Sequence, residues 1–447
     1  MGVIYTYGRR TIIHNRIDMT QKLKFGNGTW ATKKGSTLAY NDQNDRFKPL
    51  PFTTTRDSIA TRVNKEGLIE VVGNDVPRID YTDSEDGVLL LENSSTNLVT
   101  YSEDISNSYW TKSGSSVTSD FVSPNGENNA FKLIEDSSNG NHRIDAQGIS
   151  ITSGVSQTFS MFFKYDNSVE WVRIREFGIN AFVYCNIKDN VFGATNKVNN
   201  TQKIEDFGNG WKRISFTYTS TTQGANFRIY LADGDNIDGY QGNGTSGIYI
   251  YGAQLEQGSY ATSYIPTSGS SVTRQADTAS GAGNSEVFND SEGVLFADIS
   301  AFAGAGGGTR RIEVSNGVSA TQYVRLQIAN GDGSLYAILN NGSQQFLFNE
   351  TSFNATLPNK ISLKYKQNDF SLFVNGFEVG SSNVGNTFAN GVLTQANFSS
   401  TLSEFYGKTK EIGYYDTALT DEELEYMTSY RTLNELVTEL NLSLIHI

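Results

Sequence analysis

Residues 171–177 read WVRIREF, and an extended chain with a period of two puts Trp171, Arg173 and Arg175 on one side and Val172 and Ile174 on the other. Two further segments behave alike. NFRIYLA sets Phe227, Ile229 and Leu231 against Arg228 and Tyr230, and AFVYCNI sets Val183, Cys185 and Ile187 against Tyr184 and Asn186. Each has one apolar face and one face of aromatic, polar or basic groups. Flat aromatic rings stack on the C–H faces of sugars. Arginine and tyrosine hydrogen-bond hydroxyl rims, and arginine forms two parallel bonds to a carboxylate or sulfate. If the three segments adjoin in one sheet, Trp171, Arg173, Arg175, Tyr184, Arg228 and Tyr230 make a basic and aromatic platform suited to an acidic or sulfated glycan. The competing reading is a solvated sheet face on which rings and arginine stems cover one another and acids such as Glu170. Glu176 interrupts the inward face and Phe177 falls on the Trp171 side, so the strand is expected to end or bulge near Gly178.

Other chemistry is sparse. ADGDNIDGYQGNGTSG clusters Asp233, Asp235 and Asp238 in a loop of the kind calcium uses, without EF-hand spacing or its terminal glutamate. Aspartate and glycine are equally ordinary turn residues. No cofactor is therefore required, with Ca2+ at this loop the one candidate. The histidines are His14, His142 and His446, outside any metal-ligand pattern, and HExxH, CxxC and phosphate-loop motifs are absent. Cys185 alternates with Val183 and Ile187, which predicts a buried, inert thiol. Glycoside hydrolysis needs two carboxylates roughly 5–9.5 Å apart across the bond. The acid-rich runs TDSED and YSEDIS read as turns and DEELE as a helix start, so the expectation is a protein without catalytic residues.

The elements that must position the platform follow from composition and pattern. With 35 basic and 48 acidic residues the net charge is −13, which argues against nucleic acid as a partner. Only 37% of residues are hydrophobic, while 43 glycines, 23 tyrosines and 26 phenylalanines point to an all-β protein with many turns. No apolar run approaches the roughly 18 residues of a membrane span, and none follows Met1, so neither membrane insertion nor a signal peptide is expected. Strand patterns between turn signals predict two antiparallel β-sandwiches, at 97–267 and 287–418. An irregular attachment segment at 1–55 and a β-hairpin connector at 56–96 precede them, and SGSSVTRQADTASGAGNSE at 268–286 reads as a linker. Thr420 with Glu423 forms a capping-box pattern that opens a short C-terminal helix over 419–441. Trp110 and Trp211 sit near strand ends and read as core.

TNLVTYSE followed by Trp110, GNGWKR at 208–213, and GAQLEQGSYATSYIPTSGSSVTRQAD at 252–277 together resemble a carbohydrate-binding jelly-roll module of phage tail and minor structural proteins, with coverage of about 55–278. The hairpin ISLKYKQNDFSLFVNGFEVG and KEIGYYDTALTDEELEYM make 287–430 similar to concanavalin A-like, laminin-G-like domains. The resemblance implies a non-enzymatic tail or tail-fibre adhesin located in the virion, whose partners are host cell-surface polysaccharide and other phage tail proteins, with a homotrimer as the family-level expectation. The alternatives are a secreted or cell-surface bacterial polysaccharide-binding protein and a concanavalin-like glycoside hydrolase or lyase. Many such jelly rolls carry a structural calcium joining first and last strands, a role that Glu103, Asp104 and Glu256 would fill by analogy. The last residues, 442–447, LSLIHI, resemble a translated sequencing adapter, which implies that the natural C-terminus lies elsewhere.

Overall fold

The computed structural model describes residues 52–430 apart from 199, 303–307, 318–320, 331–332 and 401–402, together with short strand segments ahead of residue 52. The architecture is all-β, with one helix among the described residues. The first sandwich pairs two six-stranded antiparallel sheets. One runs Trp110–Ser113, His142–Ser150, Gly224–Ala232, Trp171–Glu176, Ala181–Asn186, Val191–Asn196; the other runs Ser115–Phe121, Ala130–Glu135, Gly247–Gln257, Ser156–Lys164, Trp211–Thr219, Lys203–Asp206. The three segments expected to adjoin therefore do so, with Trp171–Glu176 in the middle.

Alternation explains the packing. Along Trp171–Glu176 every second residue is buried, and Val172 and Ile174 meet Phe227, Ile229, Val183 and Cys185 in a core completed by Phe159, Met161 and Phe216 of the opposite sheet. Phe159 and Phe227 stack across the sandwich at 4.1 Å, an arrangement that contributes about 0.5–1.5 kcal/mol beyond burial. Trp110 and Trp211 are both buried. So is Cys185, whose thiol burial pushes up to about 12. A thiol reagent at neutral pH is expected to leave the native chain unlabelled and to label it once unfolded; rapid stoichiometric labelling of the native chain would contradict this placement.

The two sheets differ on their outer faces. In Ser156–Lys164 seven consecutive residues are buried, because Ile69 of the hairpin Ala60–Val63 and Ile69–Val72, together with Tyr264, covers Phe162, Trp211 and Tyr251 from outside. The sheet containing Trp171–Glu176 is left as the open one.

The second sandwich has an eight-stranded sheet, Arg78–Asp80, Val88–Leu91, Gly407–Tyr415, Glu292–Ala301, Asn359–Lys366, Asp369–Val374, Phe377–Ser382, with Leu23–Gly26 also on Gly407–Tyr415. Facing it are Gln344–Glu350, Leu335–Asn341, Gln322–Ile328, Arg310–Ser315 and Gln395–Asn397. The Asn375–Gly376 turn holds φ of 51° and 89°, the left-handed pair that a two-residue hairpin needs. Asp421–Thr428 is helical under the expected capping box, Glu423 N–H donating to Thr420 Oγ1 at 3.3 Å and Thr420 N–H to Glu423 Oε2 at 2.8 Å. Leu424 packs under it on Val294, Phe296 and Phe373. The helix expected to run to 441 ends instead at Thr428, because Ser429 is an extended C-cap; residues 431–447, and with them His446, lie outside the described residues, as does His14.

Two boundaries are corrected. Residues 56–96 are more than a connector, because Leu89 and Leu91 lie in the core of the second sandwich and Val88–Leu91 pairs with Gly407–Tyr415. The chain thus leaves the second sandwich at Leu91, builds the first, and returns by Ala279, which with Ala282 and Phe288 lies in the second core. Residues 268–286 are no free linker. Val272–Arg274 pairs with Ser95–Asn97, Thr278–Ser280 pairs with Thr53–Thr55, and Arg274 and Asp277 are buried.

Candidate functional site

Rows of side chains across the open sheet define the site. Arg143, Tyr230, Arg173 and Tyr184 are successive cross-strand partners in one row. Asp145, Arg228, Arg175 and Phe182 form the next.

The first row is covered. The loop after Gly224–Ala232 folds back over it, and Asp238 Oδ2 accepts from Arg173 Nη1 at 2.5 Å. Asp235 accepts from the Ala194 N–H at 2.7 Å and packs with the Trp171 ring on Gly193, where a Cβ would collide with both. The Arg173 guanidinium lies 4.4 Å from the Phe182 ring centroid, 5.2 Å from Tyr184 and 5.4 Å from Tyr230. Tyr184 and Tyr230 are each only 2% exposed, and burial pushes the Tyr184 phenol up to about 12. In this arrangement the two tyrosines serve as a bed for Arg173 and offer no stacking face. The six-residue platform read from sequence therefore divides: Trp171, Arg173, Tyr184 and Tyr230 lie under the acidic loop, and Arg175 and Arg228 stay open.

The second row holds the open chemistry. Arg175 and Arg228 face each other directly across neighbouring strands. Both lean on Phe177, whose ring is 42% exposed and lies 4.8 Å from the Arg175 guanidinium and 3.7 Å from that of Arg228. Asp145 is shared, at 3.0 Å from Arg143 Nε and 3.5 Å from Arg228 Nε. Arg175 has no ion pair among the described residues, and its Nε is buried without a hydrogen-bond partner. Like charges directly opposite in a sheet are destabilising, so Arg175 beside Arg228, with one carboxylate shared between Arg228 and Arg143, forms a site short of anions. Phe177 and Arg143 were missed from sequence: the first lies just past the strand end at Glu176, and the second lies on a strand whose pattern was not singled out. Glu176 ends that strand by turning inward, its carboxylate accepting from the backbone N–H groups of Gly178, Ile179 and Asn226.

The calcium candidates are spread out. Asp235 and Asp238 are engaged as above, Glu103 accepts from Tyr251 at 2.5 Å, and Glu256 accepts from Ser95, Gln254 and Thr262. Among the described residues no three His, Cys, Asp or Glu side chains converge as a metal group.

The sequence motifs that carried the resemblance form a different, internal network. Asn97 is buried and donates to the Ala253 and Ile265 carbonyls, and Arg213 donates to the Thr262 carbonyl and Ser160 Oγ. Between the sandwiches Arg78 pairs with Glu92 at 2.7 Å and with Asp277, Arg56 reaches Asp277 at 2.9 Å, and Arg274 lies 3.6 Å from Glu92. Burial works to raise the Glu92 carboxyl, but Arg274 and Arg78, with two bonds from Ser263, outweigh it and hold the group down to about 2. A carboxyl lowered on folding contributes stability above its unfolded value near 4.5 and loses that contribution as pH falls toward 2. The urea midpoint is therefore expected to fall between about pH 4.5 and 2, and Glu92→Gln to flatten that fall; an unchanged slope would contradict the assignment.

No protein-family model matches the chain, and no curated protein sequence matches it. Among solved structures, the chain is similar to the Ruminococcus gnavus IT-sialidase CBM40 bound to α2,3-sialyllactose, at 19% identity over 32% of this chain and 84% of that one, with a TM-score of 0.28. It is also similar to mouse laminin α1 chain domains LG4-5, at 9% identity over 64% of this chain and 90% of that one, TM-score 0.22. The third is the CBM22-1–CBM22-2 tandem of Paenibacillus barcinonensis Xyn10C, at 11% identity over 73% and 99%, TM-score 0.22. At these scores the likenesses carry no functional argument, and the site is argued from its own residues.

Proposed function

We propose that the chain is a non-enzymatic phage tail or tail-fibre adhesin that binds an acidic or sulfated polysaccharide of the host surface on the open sheet of its first sandwich. The supporting observation is Arg175 opposite Arg228 on the exposed Phe177, with Asp145 shared between Arg228 and Arg143. A guanidinium offers a fork that matches carboxylate or sulfate, and the ring offers a surface for the apolar sugar face. The tail assignment rests on the sequence motifs alone. Affinity per site would be modest and raised by several copies on one particle, a homotrimer being the simplest arrangement.

The test is binding of the whole chain to neutral, carboxylated and sulfated bacterial polysaccharides, with and without calcium. Retention on acidic members that Arg175→Ala with Arg228→Ala abolishes is the expected result; acidic retention that the double variant leaves intact, or no binding to any acidic member, would overturn the reading. Arms with calcium decide whether the Asp233, Asp235 and Asp238 loop takes part.

A further inference from the structure

A second place on the first sandwich has the chemistry of a binding site and none of the charge. Where the strand His142–Ser150 ends, the strand Ser156–Lys164 begins and Ser95–Asn97 crosses, a cleft of about 560 Å³ opens. That lies within the roughly 300–1,000 Å³ of small-molecule pockets. No charged side chain lines it. Its polar groups are the amides of Asn93, Gln157 and Gln257 and the hydroxyls of serines and threonines, with Leu98 and Ile151 as apolar walls.

Gln157 decides what the cleft is for. It is fully buried, and both its Nε2 and its Oε1 lack a hydrogen-bond partner. A buried amide left unsatisfied costs free energy that methionine, of similar shape, would avoid. Native structures rarely keep such a group, and each instance calls for a water, an ion or a functional partner. An amide shows N–H donors and a carbonyl acceptor side by side, which two adjacent sugar hydroxyls, each able to donate and accept, complete together.

We infer that this cleft binds a neutral saccharide unit with vicinal hydroxyls, held by the Gln157 amide between Leu98 and Ile151. The absence of charge sets it apart from the Arg175 and Arg228 face, so the inference stands independently of the acidic-glycan reading. A polysaccharide with alternating charged and neutral residues would be able to use both places.

The experiment titrates the whole chain with maltose, cellobiose, lactose and mannobiose, followed by saturation-transfer NMR and calorimetry. At least one is expected to bind. Gln157→Met is expected to weaken it by about tenfold or more without lowering the melting temperature, and Arg175→Ala to leave it unchanged. Should Gln157→Met fail to fold, Gln257→Ala at the exposed rim decides, with the same loss expected. The inference is overturned if none of the four binds at concentrations on the order of 10 mM. It is equally overturned if the folded variant, Gln157→Met or failing that Gln257→Ala, binds as the parent does.

Discussion

Replacing Arg78 by alanine is expected to destabilise the chain by about 3–5 kcal/mol, the range for breaking a buried ion pair by removing one partner. Arg78 is fully buried and bonds Glu92, Asp277, the Thr61 carbonyl and Ser263, residues drawn from four separate stretches of sequence. Without its guanidinium, two carboxylates remain buried with Arg274 and Arg56 only partly placed to compensate. The effect should also be one of coupling. The network sits where the chain leaves the second sandwich and where it returns, so the parent is expected to unfold in one transition and the variant in two. Urea unfolding followed through Trp110 and Trp211, both buried in the first sandwich, and separately by circular dichroism, would show the split. A loss below about 1 kcal/mol with coincident transitions would mean that the network does not join the two units.

The second large effect concerns binding. Arg175→Ala together with Arg228→Ala is expected to lower affinity for an acidic polysaccharide by about a hundredfold or more. Hydrogen bonds to charged groups contribute about 1.5–3 kcal/mol each, and two of them amount to that factor. Stability should change by no more than about 0.5 kcal/mol, because the substitution removes a like-charge pair at a half-exposed face. Parent affinity should weaken as salt rises. Surface plasmon resonance at two ionic strengths measures both, and a double variant that binds like the parent would remove these arginines from the site.

The all-β class, the adjacency of the three platform strands, the capping box and the Asn375–Gly376 turn were legible because each depends on local period or on a residue's own backbone preference. What the platform would present to solvent was not. Tyr184 and Tyr230 alternate outward as expected, yet a loop of Asp235 and Asp238 folds over them, and no periodicity reports where a loop lands. The same holds for Arg274 and Asp277. In a Gly- and Ser-rich stretch they read as linker, and only the fold shows them meeting Arg78 and Glu92 from far along the chain. Gln157 began a strand pattern rich in aromatics and gave no sign that its amide would be stranded at a cleft. The motifs that carried the resemblance turned out to build the joint and the turns, which accounts for their being informative about architecture and silent about the sugar.

The most direct measurement is hydrogen exchange of the whole chain with and without an acidic oligosaccharide that it retains. Protection concentrated in 171–186 and 224–232, lost in the Arg175 and Arg228 double variant, is the expected result. Binding that protects other strands and leaves these unchanged would contradict the assignment of the open sheet as the glycan face.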